Sequence, residues 1–183
     1  NLVNENDVFD VSKPLKVSSR IITDFHPLNY SINIPEVIVH SSNIGSAKIA
    51  EKFGSSTQLK YLRSLGLLNK LSLEIPELGK PQVLMDKKVL STMTISYGHG
   101  ISITPMHLAS ATATIVNSGV KVNPTLIKGK TKTENKVIIS NKTSIKMKSI
   151  MRLVVSNKNG TAKKAEAPGY LIGGKTGTAE KIN

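Results

Sequence analysis

Apolar positions change texture several times along the chain. Residues 8–34 carry β-branched side chains in weak alternation (Val8, Val11, Val17, Ile21, Ile22, Ile32, Ile34), broken by Pro14 and Pro27. That pattern predicts short strands and loops rather than a helix. Ile34-Pro35-Glu36-Val37-Ile38-Val39-His40 puts proline in a first turn with an acid beside it, predicting a short helix that ends near Ser41. Ser42 or Asn43 caps the next predicted helix, which runs through Ile49 and Phe53 and stops at Gly54. Ser55-Ser56-Thr57 starts another, carrying Leu59, Leu62 and Leu65 and ending at Gly66.

Residues 67–100 hold no single period, and Pro76 and Pro81 mark irregular structure. Thr104-Pro105 is a helix start, a capping hydroxyl followed by proline at the first helical position. The spacing predicts that this helix buries Leu108, Ala111 or Thr112, and Ile115, and that Gly119 ends it. Val120 to Lys136 reads as lysine-rich loops with a short strand, and Lys136-Val137-Ile138-Ile139 as a strand. Met147, Ile150, Met151 and Val154 recur at i, i+3, i+4 and i+7, the clearest amphipathic helix in the chain, with its methionines as core filler. A Gly/Ala/Lys loop spans Gly160 to Pro168. Gly169 to Ala179 then reads as a strand whose glycines leave one face open to another backbone.

Composition bounds the class. Of 183 residues, 39% are apolar and 13 more are glycine, enough for a packed core. Cysteine is absent, which excludes a disulfide framework, a thiolate metal site and a cysteine nucleophile. No apolar run reaches the roughly 18 residues of a membrane span, and Asn1-Leu2-Val3-Asn4-Glu5 does not read as a signal peptide. The expectation is that these residues neither span a membrane nor carry an export address. A surplus of 25 Lys+Arg over 12 Asp+Glu gives a net charge of +13 and favours an anionic partner. The lysines are strewn singly, however, aromatics are 4% and tryptophan is absent, so a base-stacking platform is poorly supplied. A solvated lysine-rich surface is the simpler reading.

The chemistry concentrates in two short motifs. Ser41-Ser42-Asn43 sits in a tight helix-to-helix junction, and Lys175-Thr176-Gly177-Thr178 lies on the glycine-rich segment near the C-terminus. Between them runs Tyr97-Gly98-His99-Gly100 with Thr104-Pro105 shortly after. In these motifs and their order, the chain resembles the transpeptidase domain of class B penicillin-binding proteins, members of the penicillin-recognising serine enzyme superfamily. Gly174-Lys175-Thr176-Gly177-Thr178-Ala179-Glu180-Lys181 is most similar to the division-type, septal enzymes.

The resemblance implies an α+β fold, with helices packed on an antiparallel sheet represented mainly by residues 169–179. It implies a serine D,D-transpeptidase that cross-links peptidoglycan stem peptides and is the target of penicillin. Lys175 would attract the free carboxylate of a D-Ala-D-Ala peptide or a β-lactam, and Thr176 and Thr178 would donate hydroxyl hydrogen bonds to it. Gly177 would let the substrate backbone lie alongside. The Thr178 N–H would form half of an oxyanion hole. Ser41 would relay a proton, and Asn43 would bind the peptide amide. The implied enzyme uses no cofactor and works with division-machinery proteins. It sits at the periplasmic face of the bacterial inner membrane, held by an N-terminal anchor outside these residues.

One family motif has no match where it is expected. No Ser-x-x-Lys lies between Asn1 and His40, and Ser118-Gly119-Val120-Lys121 is a decoy that falls after Ser41-Ser42-Asn43 and across a helix stop. The expectation is a fragment of a transpeptidase domain over 1–183, lacking the nucleophile region and the last sheet strands, inactive alone, with apolar surface exposed. His26, His40, His99 and His107 are scattered without metal-ligand spacing, so no metal site is expected. His40 beside Ser41 would point about 100° away on a helix and reads as a satisfied polar side chain. Two alternatives stand beside this reading. A β-lactam hydrolase or sensor of the same superfamily would differ in how fast it deacylates. A basic nucleic-acid-binding module would bind DNA with a steep salt dependence.

Overall fold

The computed structural model describes residues 3–83, 88–129 and 135–177. The chain divides into two compact units: residues 1–46 with 148–183, and residues 47–147.

The first unit opens with the short strands that the broken alternation predicts: β1 (Val8–Asp10), β2 (Leu15–Val17), β3 (Arg20–Ile22) and β4 (Ser31–Asn33). β1 pairs antiparallel with β4, Phe9 opposite Ile32, and β2 with β3, Lys16 opposite Ile21. Phe9, Val11, Ile22 and Ile32 are buried, each on the inward beat of its strand or just beyond it. Helix α1 (Ile34–Val39) starts at Asn33, whose side chain accepts from the Glu36 N–H while the Glu36 carboxylate accepts from the Asn33 N–H. That reciprocal cap satisfies two of the donors a helix start leaves open.

Helix α2 (Asn43–Ser64) is interrupted at Gly54, whose φ of 72° and ψ of 168° are not helical. The break falls at the predicted stop, with a second helical run on its far side. In the second unit β5 (Gln82–Val83) pairs with β6 (Ile101–Ser102), and α3 (Val89–Ile95) lies between them in sequence. Sequence gave no sign of α3. Val89, Thr92, Thr94 and Ile95 are β-branched and poor helix formers, and the helix owes its existence to burial of Ser91, Thr92, Met93 and Ile95.

Helix α4 (Pro105–Val116) starts at its predicted cap, Thr104, and gives out at Asn117, just short of Gly119. Its buried face keeps the predicted Ala111 but otherwise differs from the predicted one. His107, Ala111 and Thr114 are inside, whereas Leu108 is 57% exposed and Ile115 only partly covered. The polar pair can be buried because it is fully paired. His107 Nδ1 meets Thr104 Oγ1 at 2.7 Å and its Nε2 meets the Asn69 carbonyl at 2.9 Å. Thr114 Oγ1 donates to the Ser110 carbonyl and accepts from the Val122 N–H.

The predicted strand at 136–139 reduces to one antiparallel bridge, Val120 with Val137. Helix α5 (Asn141–Ser156) matches its predicted stripe, burying Ile150 and Val154 completely or nearly so, with Val155 beside them. A 3₁₀ turn (Lys163–Ala165) follows within the expected loop.

The strand expected over 169–179 is not formed across its described part. Among the described residues no ladder includes 169–177, and the antiparallel sheets are the three two-stranded ones above. A strand needs a second backbone at ladder distance. This segment instead hangs on helix α5 by single bonds: Gly174 N–H donates to the Met151 carbonyl at 3.0 Å, and Arg152 Nη1 donates to the Ile172 carbonyl at 2.8 Å. Among the described residues no helix is long and apolar enough to cross a membrane.

Candidate active site

The site is built in the first unit from the α1–α2 junction and the segment after α5. Helix α1 ends at His40, and Ser41 follows with φ of 57°, in the left-handed region. Ser42 N–H donates to the Val37 carbonyl at 3.0 Å and Ser41 N–H to the Ile38 carbonyl at 3.3 Å. This pair of bonds is a Schellman close, whose left-handed position is normally glycine. A serine there holds local strain, of order 1 kcal/mol or more.

Ser42 is buried and serves as the cap of α2, accepting from the Gly45 N–H at 2.9 Å and donating to Asp24 Oδ2 at 2.7 Å. Asp24, also buried, accepts the Ile44 N–H on its other oxygen at 2.9 Å. A carboxylate at a helix N-terminus is stabilised by the orphan N–H groups and the helix dipole. Asn43 Nδ2 donates to the Thr23 carbonyl at 2.9 Å. Gly45 allows the junction to close: a Cβ there would lie 2.5 Å from Val37 Cγ2. Ser41, by contrast, turns its hydroxyl away from this buried knot.

Facing it is the 172–177 segment. Arg152 on α5 holds Glu166 through two bonds of 2.7 and 3.0 Å while also donating to Ile172, so loop and segment are pinned to one guanidinium. The bidentate Glu166 bond raises the Arg152 pKa, keeping it charged throughout. Gly173 packs on the α5 backbone, where a Cβ would lie 3.1 Å from the Arg152 nitrogen.

The result is a meeting of the two motifs. Lys175 Nζ donates to Ser41 Oγ at 2.7 Å across 134 positions of sequence. The same ammonium reaches the Thr176 carbonyl at 2.8 Å and Thr176 Oγ1 at 3.3 Å. Thr176 Oγ1 meets Thr161 Oγ1 at 3.0 Å. Lys175 is exposed as a residue, yet the protein around its ammonium partly desolvates it, which lowers its pKa from the ordinary lysine value.

Of the sequence-predicted residues, Ser41, Lys175 and Thr176 share one hydrogen-bonded cluster, Asn43 stands two residues along the same turn, and Gly177 follows Thr176 with an exposed backbone. Thr178 lies outside the described residues. Sequence reasoning missed Asp24, Arg152 and Thr161. Asp24 sits 18 positions before Ser42 with no motif spacing to mark it, and Thr161 falls in a loop read only as a connection. His40 forms the C-cap of α1, and Ser118 and Lys121 follow the end of α4 rather than sharing a helix face.

Known proteins match this chain. The family model described as penicillin binding protein transpeptidase domain matches residues 1–183. The probable peptidoglycan D,D-transpeptidase FtsI of Caulobacter vibrioides is 36% identical over 96% of this chain and 30% of its own length. The stage V sporulation protein D of Bacillus subtilis is 28% identical over 80% of this chain and 25% of its own. Among solved structures, the transpeptidase domain of Burkholderia pseudomallei penicillin-binding protein 3 has a TM-score of 0.90 at 26% identity. It covers 98% of this chain and 55% of that one. A Burkholderia ambifaria protein described as a peptidoglycan glycosyltransferase has the same TM-score and identity, covering 58% of its length. The chain thus spans under a third of the two curated relatives, and its fold is the mixed α+β fold of the penicillin-binding superfamily. With the Ser-Ser-Asn turn and the Lys-Thr-Gly segment in contact, and a family match over every residue, the chain belongs to the penicillin-binding protein transpeptidase-domain family.

Proposed function

We propose that this chain forms the substrate-binding wall of a serine D,D-transpeptidase that cross-links peptidoglycan stem peptides in septal wall synthesis, and that penicillin occupies the same wall. The observation that carries the reading is the 2.7 Å bond from Lys175 Nζ to Ser41 Oγ. An ammonium only donates, so it fills a lone pair on Ser41 and leaves the Ser41 O–H to point elsewhere. That hydroxyl would give its proton to a leaving amine and be resupplied from Lys175, a relay in which each transfer crosses one hydrogen bond.

Lys175 and the Thr176 hydroxyl would hold the terminal carboxylate of a D-Ala-D-Ala peptide or a β-lactam, with a charge-assisted bond as the stronger of the two. Asn43, anchored through one N–H to Thr23, would use its remaining amide groups on the peptide backbone. Gly177 leaves room for that backbone, and the Thr178 N–H completes the reading as an oxyanion donor. The chemistry also needs an acylating Ser-x-x-Lys pair, which these residues do not place ahead of Ser41. No cofactor enters the reaction. The relatives' names support the peptidoglycan substrate, and we extend the reading to a setting at the periplasmic face of the bacterial inner membrane, beside division-machinery partners.

The test is acylation by a fluorescent penicillin in the intact protein that carries this chain. Lys175→Ala should lower the second-order acylation rate by about 100-fold or more, as losing a fixed charge in a site does, while thermal unfolding stays nearly unchanged. Acylation at the parental rate would refute the assigned role.

A further inference from the structure

The Gly160-Thr161-Ala162 loop is held more firmly than a connecting loop requires. Ala162 N–H donates to the Val154 carbonyl at 3.0 Å, and Gly160 N–H donates to the Asn157 carbonyl at 2.9 Å. Gly160 lies so close to the Val154 carbonyl that no Cβ would fit between them. Thr161 N–H reaches the Val39 carbonyl in the last turn of α1, at 3.4 Å. The loop therefore ties the end of α5 to the helix that delivers Ser41, and it presents the Thr161 hydroxyl to Thr176 Oγ1 at 3.0 Å.

A hydroxyl has one proton to donate and two lone pairs to fill. On Thr176, Lys175 Nζ approaches one lone pair at 3.3 Å. If Thr161 donates into the other, both acceptor sites are taken, and the single Thr176 proton has only the solvent side left. We propose that Thr161 is a positioning residue that sets the polarity of the Thr176 hydroxyl, turning it into an obligate donor toward an incoming carboxylate. The inference deepens the transpeptidase reading and rests on it. Both hydroxyls reach solvent, so the bond adds little to folding and acts only when a ligand covers it.

The effect should therefore depend on the ligand's charge. In the intact protein, acylation rates would be compared for Thr161→Val and Thr161→Ser, using benzylpenicillin and its methyl ester, in which the carboxylate is masked. Thr161→Val should lose about tenfold with the free acid, the worth of one good hydrogen bond to a charged group, and under twofold with the ester. Thr161→Ser should retain the parental rate with both, and unfolding temperatures should agree among the three proteins. Equal losses on acid and ester, or no loss on either, would overturn the proposal. Failure of the parent protein to acylate at all would instead overturn the transpeptidase reading.

Discussion

Ser41 occupies a backbone position that glycine would fill more comfortably, and its hydroxyl accepts the Lys175 bond. Its φ of 57° follows from closing α1 in a single residue before α2 begins, and the same geometry aims the side chain at Lys175. Ser41→Gly should therefore separate stability from function. Relief of the left-handed strain should raise stability by up to about 1 kcal/mol, partly offset by the freer unfolded chain. Penicillin acylation should fall at the same time, and chemical denaturation paired with a fluorescent-penicillin assay would show both. Ser41, Lys175 and Thr176 were legible in the sequence because residue type and motif order mark them. Asp24 and Thr161 were not, because their importance lies in whom they touch, which only the folded chain decides.

At the scale of elements, the α1–α2 junction is the part of the site that packing fixes most tightly. The Asp24 carboxylate satisfies both the Ser42 hydroxyl and the Ile44 N–H in a buried setting, and Gly45 lets α2 pass close to Val37. Asp24→Ala would strand two buried donors and should destabilise the protein by about 2–4 kcal/mol, read as a lower urea midpoint at constant slope. A loss below 0.5 kcal/mol would mean that the knot does not hold the turn. Three helix starts were legible, since Pro35 with Glu36, the Ser42-Asn43 pair and Thr104-Pro105 announce them through local chemistry, although the Asn33 cap of α1 emerged only in the fold. The α3 helix and the true face of α4 were hidden because tertiary burial outweighs propensity in one, and satisfied polar groups replace apolar ones in the other. The glycine-rich 169–177 segment misled for a related reason. Glycines that leave one face open make a backbone fit to be a strand, but pairing needs a neighbour.

For the molecule as a whole, the charge of +13 carries less information than its size suggests. Most lysines are spread over the surface, while the one tied to the candidate chemistry is partly desolvated and held by named partners. The overall α+β class was readable from the motifs, yet among the described residues its strands lie mainly at 8–33 rather than in the 169–177 part of the segment that sequence favoured. Two motifs far apart in sequence meet through the Lys175–Ser41 bond, and the proposed chemistry needs them to work as one unit. A double-mutant cycle on Ser41→Ala and Lys175→Ala, measured as penicillin acylation in the intact protein, tests it most directly. Side chains that share a hydrogen bond should couple by about 1 kcal/mol or more, so the double variant should be less impaired than the product of the two single losses. Losses that simply multiply would show that Ser41 and Lys175 act independently, and would contradict the account.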